Sequence, residues 1–310
     1  MQRVKKMVLL AVTAGLCGSA GQILSRANLS RPERRPTIRL DANLVLVPVS
    51  VTDSRGKLVP DLRQTDFTLL EEKHSQEIVS FSRENAPVSL GIVVDLSGSM
   101  VNKIGETRTA VNEFLKNLQS EDEEFLVTFA DRPVLRLPFT DDPSSIYDVL
   151  AGAEPQGNTA LFDAIALAIH QMRGARNQRK ILFLVSDGGD NHSRLTEREL
   201  RRIVEEEDVQ IHAIGIQARG AVMDKEELRG PRILEDLAQM TGGEHYVVNE
   251  STALPALAAR VSLSLHDRYL LGYNPTPAGP SGLFRRIEVQ VKQPGRKRLF
   301  VFARRGYRMP

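Results

Sequence analysis

The sequence lacks several features that would place it in a common functional class. It contains no tryptophan and one cysteine, Cys17, among 310 residues, and its formal net charge is only +2. A chain with one cysteine forms no internal disulfide bond, so its stability must come from a packed core or from a bound metal ion. The small net charge and the lack of a basic face rich in aromatic residues argue against nucleic acid as a partner.

Three motifs of nucleotide-binding and hydrolytic enzymes are also missing. The sequence has no Gly-x-Gly-x-x-Gly after the first predicted strand of its α/β region, no Gly-x-x-x-x-Gly-Lys-Ser/Thr phosphate loop and no Gly-x-Ser-x-Gly turn. Its six histidines are scattered, and no two of them stand at the spacing of metal ligands. These absences favour a binding protein over an enzyme, and we assign no catalytic residue.

The beginning of the sequence has the pattern of an export signal. Basic residues precede the apolar run Met7 to Leu16, and Gly18-Ser19-Ala20 provides the small residues of a cleavage site. We expect residues 1–20 to be a signal peptide, which predicts a periplasmic, secreted or surface-associated protein. Lipidation of Cys17 is the alternative, although Leu16 stands where lipoprotein signals prefer a small residue. No later segment is long and apolar enough to cross a membrane.

The rest of the chain divides into four parts by composition and pattern. Residues 21–36 are polar, rich in arginine and interrupted by proline, as is usual for a linker. Residues 37–86 form short predicted strands, residues 87–265 alternate strands with helices, and residues 266–310 return to strands. Neither β segment is large enough to bury a core alone, so we expect the two to pack together as one β module beside the α/β domain.

The central region predicts a doubly wound α/β domain. Leu90 to Val94 and Ile181 to Val185 are continuously apolar, which is typical of strands buried on both faces of a parallel sheet. The predicted helices between the strands are Thr107 to Leu118, Ile146 to Leu150, Ala160 to Met172, Thr196 to Glu206, Ile233 to Met240 and Leu254 to Leu265. This alternation predicts a mostly parallel, Rossmann-like sheet with helices on both faces.

Oxygen-bearing side chains follow the two apolar strands. The first strand leads into Asp95-Leu96-Ser97-Gly98-Ser99, the second into Ser186-Asp187-Gly188, and a turn between them carries Thr159. Ligands of open α/β sheets bind outside the carboxyl ends of the strands, where the strand order reverses. The side chains that we expect to meet there are Asp95, Ser97, Ser99, Thr159 and Asp187. Carboxylate and hydroxyl oxygens suit a hard divalent cation, with Mg²⁺ favoured and Mn²⁺ or Ca²⁺ as alternatives.

These residues also have a structural interpretation. The residues after the first strand could cap the next helix, and Thr159 could cap a helix beginning at Ala160. One such coincidence is ordinary, but all five residues in order favour a metal site. Asp163 either hydrogen-bonds a loop near the site or has a solvent-facing or structural role. Asp190-Asn191-His192 either borders the site or forms an exposed polar loop.

The five residues resemble the metal ion-dependent adhesion site of von Willebrand factor type A (VWA) domains. They match that pattern in order and in full: Asp95-Leu96-Ser97-Gly98-Ser99, then Thr159, then Asp187. In that family the two serines and the threonine are metal ligands, the aspartates act directly or through water, and an Asp or Glu of a partner protein often fills the open position. The whole chain also resembles a VWA-related group found in Acidobacteria, which implies little about function.

The resemblance implies an exported, metal-dependent protein-binding module that serves adhesion or complex assembly. One alternative is a hydrolase in which the metal activates water, although no general base is evident beyond the aspartates of the site. The other alternative is a scaffold with a vestigial site, in which the β segments mediate assembly. The basic stretch from Arg285 to Arg308 fits a solvated face of charged strands better than a binding surface for anions.

Overall fold

In the computed structural model, the described residues run from 44 to 309, except 188, 217–224, 250, 276–281, 294 and 296–297. The predicted signal peptide, the predicted linker and the first residues of the N-terminal β segment lie outside the described residues. Within the described part, no helix has the length and apolar character needed to cross a membrane.

The elements follow one another in the predicted order of strands, then alternating strands and helices, then strands. The first group is β1 (Val45–Asp53), β2 (Phe67–Glu71), β3 (His74–Gln76) and β4 (Ile78–Asn85). The alternating group is β5 (Val88–Asp95), α1 (Ile104–Leu115), β6 (Glu123–Phe129), β7 (Pro133–Thr140), α2 (Pro143–Ala151), α3 (Leu161–Gln171), β8 (Arg179–Ser186), α4 (Glu197–Glu206), β9 (Gln210–Ile216), α5 (Lys225–Thr241), β10 (His245–Val248) and α6 (Leu254–Leu263). The last group is β11 (Asp267–Tyr273), β12 (Phe284–Val291), β13 (Leu299–Ala303) and β14 (Gly306–Arg308).

The central sheet is six-stranded, in the order β10-β9-β8-β5-β6-β7. Its neighbouring strands are parallel except β7, which runs antiparallel to β6 at one edge. The chain builds outward from β5 to β7, then returns to the other side of β5 with β8. The doubly wound, mostly parallel fold is therefore confirmed, and β5 and β8 are the neighbours between which the strand order reverses.

Both faces of the central sheet are covered, which explains the continuous apolar runs. Every residue of β5 is buried. Alternate residues of the sheet pack against α1, α2 and α6 on one face and against α3, α4 and α5 on the other. At Gly91 a Cβ atom would stand 2.4 Å from the ring of Phe125 and 2.5 Å from Leu182. This glycine allows large side chains of both neighbouring strands to meet over the middle of the sheet.

The two β segments build their sheets jointly. One four-stranded sheet has the order β13-β1-β11-β4, and the other has the order β14-β12-β2-β3. Each sheet thus mixes strands from both segments, and apolar residues of both sheets share one core. The rings of Phe67 and Tyr269, which belong to different sheets, lie 5.1 Å apart. Pairing between the ends of the sequence supplies the core that neither segment could form alone.

A buried charged group joins the two sheets of the β module. The Glu71 carboxylate accepts hydrogen bonds from the hydroxyls of Tyr273 at 2.8 Å and Tyr307 at 2.9 Å, and from the guanidinium of Arg285 at 2.9 Å. Glu71 and Arg285 are 3% and 9% exposed. The prediction that the basic stretch forms a solvated face is therefore wrong for Arg285, which neutralises a buried carboxylate.

Candidate metal centre

Asp95 ties together the ends of the two central strands. It is the last residue of β5 and is fully buried. One carboxylate oxygen, Oδ1, accepts a hydrogen bond from the backbone N–H of Ser97 at 2.8 Å. The other, Oδ2, accepts one from the Ser186 hydroxyl, at the end of β8, at 2.6 Å. Asp95 is thus held rigidly at the point where the strand order reverses.

The two serines of the first loop present their hydroxyls to each other. A short 3-10 turn, Gly98–Met100, follows β5, and the Oγ atoms of Ser97 and Ser99 lie 3.0 Å apart. Ser97 is buried and Ser99 is exposed. Ser97 precedes the turn but makes no side-chain capping bond, and the residue that precedes α1 is Lys103. The capping interpretation is therefore not observed for either serine.

The loop that carries Thr159 is fastened against this turn. The N–H of Gly98 donates to the carbonyl of Gly157 at 3.0 Å, and the N–H of Gln156 donates to the carbonyl of Leu96 at 2.8 Å. Gly157 has a φ of +83°, and a Cβ atom there would stand 2.7 Å from the Asp131 carboxylate. Glycine is therefore required for the loop to approach the end of β5.

Thr159 does not cap α3. Ala160 is the residue that precedes this helix, and the free N–H groups of its first turn are bound from elsewhere in the chain. The Asp190 carboxylate accepts from the N–H of Phe162, and the Ser193 hydroxyl accepts from the N–H of Asp163, both at 3.1 Å. The Thr159 side chain is 7% exposed, and the helix leaves its hydroxyl free of a capping role.

The loop after β8 is more than an exposed polar segment. The Asn191 side chain accepts a hydrogen bond from the N–H of Thr159 at 2.9 Å. The Asp163 carboxylate accepts from the N–H groups of Arg194 and Leu195 at 3.1 and 3.0 Å. Asp163 therefore does hydrogen-bond a loop near the site. These contacts hold the loops of Thr159 and Asp187 against each other.

Asp187 faces a lysine that sequence reasoning did not include in the site. The Lys103 Nζ donates to Asp187 Oδ2 at 2.5 Å, and the two side chains are 16% and 9% exposed. No sequence signal pointed to it, because the helix was predicted to begin at Thr107. The structure starts α1 at Ile104, directly after Lys103, where a positive charge is unfavourable. Ser186, which binds Asp95, was also assigned no role.

The electrostatics of the site are those of two carboxylates close to each other in a buried place. Burial, and next to it the charge of Asp187, raise the pKa of Asp95 to about 6. The hydrogen bonds from Ser186 and Ser97 offset part of this effect. Two carboxylates that repel each other at a site with low solvent access favour the presence of a cation.

The chemistry of the donors fits a hard divalent cation. Asp95, Ser97, Ser99 and Asp187 offer carboxylate and hydroxyl oxygens at one end of the sheet, and the Thr159 loop is fastened beside them. No hydrogen bond between described residues joins the Thr159 hydroxyl to the other four side chains. The described residues also contain no group of three or more His, Cys, Asp or Glu side chains placed to hold a metal. A metal here therefore depends on the hydroxyl oxygens, which suits Mg²⁺ and does not suit Zn²⁺.

Comparison with known proteins gives one family and a set of similar folds. Residues 90–189 match the von Willebrand factor type A domain family. A von Willebrand factor type A structure from Catenulispora acidiphila is 13% identical, covers 86% of this chain and 74% of its own, and has a TM-score of 0.51. No curated protein matches the chain significantly.

Two further structures align with a smaller share of the chain. The conserved hypothetical protein BatB from Bacteroides thetaiotaomicron is 19% identical over 56% of this chain and 97% of its own, with a TM-score of 0.45. The vWF domain of the type V pili tip protein Mfa5 from Porphyromonas gingivalis is 13% identical over 58% and 97%, with a TM-score of 0.46. The family match covers most of β5, all of β8 and all five candidate residues, and the sheet around them is doubly wound: the central α/β unit of this chain contains a von Willebrand factor type A domain.

Proposed function

We propose that the VWA domain of this chain is a metal-dependent protein-binding module. The hydroxyls of Ser97, Ser99 and Thr159 and the carboxylates of Asp95 and Asp187 hold one divalent cation. Mg²⁺ is favoured, with Mn²⁺ or Ca²⁺ as alternatives. The observation that carries the proposal is the fully buried Asp95 carboxylate, which lies beside the paired hydroxyls of Ser97 and Ser99. The negative charge of Asp187 is close enough to interact with it.

The charge of the site supports a cation. A buried carboxylate is costly unless it is paired, and a second carboxylate nearby adds to that cost. A divalent ion neutralises both carboxylates. Because the hydroxyl ligands are neutral, the bound ion keeps a positive field toward solvent and favours one more anionic ligand from outside.

The surroundings of the site support a protein as the source of that ligand. Ser99 is exposed and the neighbouring Val101 is 56% exposed, so the cation position borders an accessible surface with apolar character. An Asp or Glu side chain of a partner would complete the coordination, and Val101 would contact its surroundings. The signal-like residues 1–20 support export, so we place this partner at the cell envelope or outside the cell.

The first test is the binding of Mg²⁺ by isothermal titration calorimetry. We expect one site in the wild-type protein and at least about tenfold weaker binding in Thr159→Ala, because one ligand is lost. Thr109→Ala is the matched control, since Thr109 is exposed on α1 of the same domain. Circular dichroism must show that all three proteins are folded. Undetectable binding by folded wild-type protein would reject the metal site.

The second test concerns the partner. Immobilised wild-type protein is exposed to a native envelope extract with Mg²⁺ or with chelator, alongside Thr159→Ala and Thr109→Ala. We expect a protein that is retained with Mg²⁺, lost with chelator and not retained by Thr159→Ala. Affinity for that protein should then fall when its contacting acidic residue is replaced by the amide. Equal retention under all conditions would instead favour a scaffold whose metal site is vestigial.

A further inference from the structure

Lys103 is placed against the preferences of its own helix. It directly precedes α1, where the free N–H groups create a positive field, and it makes no side-chain capping bond. Its ammonium is nevertheless largely withdrawn from water, with the side chain 16% exposed. Both features cost stability, so a compensating interaction must hold the side chain there.

That interaction is the ion pair with Asp187. The Lys103 Nζ lies 2.5 Å from Asp187 Oδ2, and the Asp187 side chain is 9% exposed. Asp95 differs from Asp187, because it is fixed by the N–H of Ser97 and the hydroxyl of Ser186. Among the described residues, Lys103 is the one that donates a hydrogen bond to the Asp187 carboxylate.

We infer that Lys103 is a tethered counter-ion that competes with the divalent cation for Asp187. This inference rests on the proposed metal site. In the metal-free protein the ammonium neutralises one of the two carboxylates. When the cation binds, Asp187 turns from the ammonium to the metal and the lysine side chain moves to water. Metal binding is thus an exchange of cations, and Lys103 sets the affinity of the site.

The chemistry of lysine suits this exchange. Its ammonium is a compact charge on a flexible four-carbon stem, so it can leave a carboxylate without moving the backbone. Asn102 and Val101, which precede it, are exposed, so water lies within reach of the released ammonium. An ammonium and a divalent cation at the same carboxylate repel each other, which disfavours their simultaneous binding.

Lys103→Met separates this role from a structural one. Methionine keeps an unbranched apolar stem and removes the charge. We expect Mg²⁺ to bind the variant at least about tenfold more tightly, the factor that corresponds to one charge-assisted hydrogen bond no longer displaced. The metal-free variant should melt at a lower temperature than the wild type, because no cation then offsets the repulsion between the charges of Asp95 and Asp187. Saturating Mg²⁺ should remove that difference.

The experiment compares wild type, Lys103→Met, Lys103→Gln and Lys116→Met by calorimetry with Mg²⁺ and by thermal unfolding with and without it. Lys116 directly follows the last residue of the same helix, forms an ion pair with Glu113 at the surface and is the matched control. Tighter binding in both Lys103 variants, with unchanged binding in Lys116→Met, supports the inference. Equal or weaker binding in the Lys103 variants, while the wild type binds, overturns the inference and leaves the proposed function standing. No binding by any of the four proteins overturns the proposed function itself.

A measurement on the wild-type protein tests the inference without relying on variants that could misfold. The Cε resonance of Lys103 is followed by NMR during titration with Mg²⁺. We expect it to move to the position of a solvent-exposed lysine in step with metal binding. A Lys103 resonance that stays unchanged while the metal binds would show that the ion pair persists, and would overturn the exchange.

Discussion

Glu124 provides a quantitative test of the electrostatics of the central sheet. It lies near the start of β6, at the end of the sheet opposite the candidate site, and is 1% exposed. Its Oε1 has no hydrogen-bond partner among the described residues. Burial, and then the charges of Asp122, Asp141 and Asp142, raise the pKa of Glu124 to about 7. The carboxylate form of this residue is therefore disfavoured in the folded protein.

The size of the effect follows from the two pKa values. A difference of one pKa unit corresponds to about 1.4 kcal/mol, so a rise from 4.5 to about 7 is worth about 3 kcal/mol. A raised folded-state pKa contributes stability that is fully present below the unfolded-state value and is lost as the pH rises through the folded-state value. The wild type therefore loses about 3 kcal/mol through Glu124 between pH 4.5 and pH 8.

Glu124→Gln removes this pH-dependent loss, because the amide does not ionise. We expect the free energy of unfolding of the variant, minus that of the wild type, to increase by about 3 kcal/mol from pH 4.5 to pH 8. Urea unfolding at half-unit pH intervals measures the difference, and any constant cost of burying the amide cancels. Glu154→Gln, at an exposed position of the same domain, serves as the control and should show no such trend. A difference that does not change with pH would refute the reasoning.

Two further predictions concern the buried carboxylates at the metal centre and in the β module. Asp95→Ala should abolish the Mg²⁺ heat in calorimetry while the circular dichroism spectrum stays folded, and undiminished Mg²⁺ binding would remove Asp95 from the site. Arg285→Met should lower the free energy of unfolding by about 3–5 kcal/mol, because it leaves the Glu71 carboxylate buried without its cation. Urea unfolding measures this loss, and adding Glu71→Leu should recover much of it; a double variant no more stable than Arg285→Met would contradict this interpretation.

The central fold was predictable because its signals are local. Continuous apolar runs identified β5 and β8, and helical spacing identified the helices between strands. The predicted start of α5 was wrong. The sequence predicted a helix from Ile233, but the helix begins at Lys225 and includes Pro231. A proline inside a helix removes one hydrogen bond. Packing of Ile233, Leu234 and Leu237 against the sheet outweighs that loss.

Pairing across long distances in the sequence was the harder part. In the sequence, Arg285 is one charged residue in a strand that alternates charged and apolar residues. No neighbouring residue indicates that it has a buried partner. Its partner, Glu71, lies 214 residues away and reaches it because β2 and β12 are neighbours in one sheet. The general expectation that the ends of the sequence meet does not supply the register that buries these two charges. That register depends on which face of each strand points into the shared core.

The candidate site shows the same division between local and tertiary signals. Its five residues could be named because each follows a predictable strand or precedes a predictable helix, and the strand order brings those ends together. Lys103 could not be named in that way, because its role depends on where the loop after β8 passes over the start of α1. Its unfavourable place at the positive end of α1 became clear only when the structure put the start of that helix at Ile104. Residues that violate a local rule are expected where a tertiary contact offsets the cost, and such contacts concentrate at functional sites. A lysine directly before α1 destabilises that helix when the helix is considered alone. Its ion pair with Asp187 offsets this loss of stability, and Asp187 belongs to the candidate metal centre.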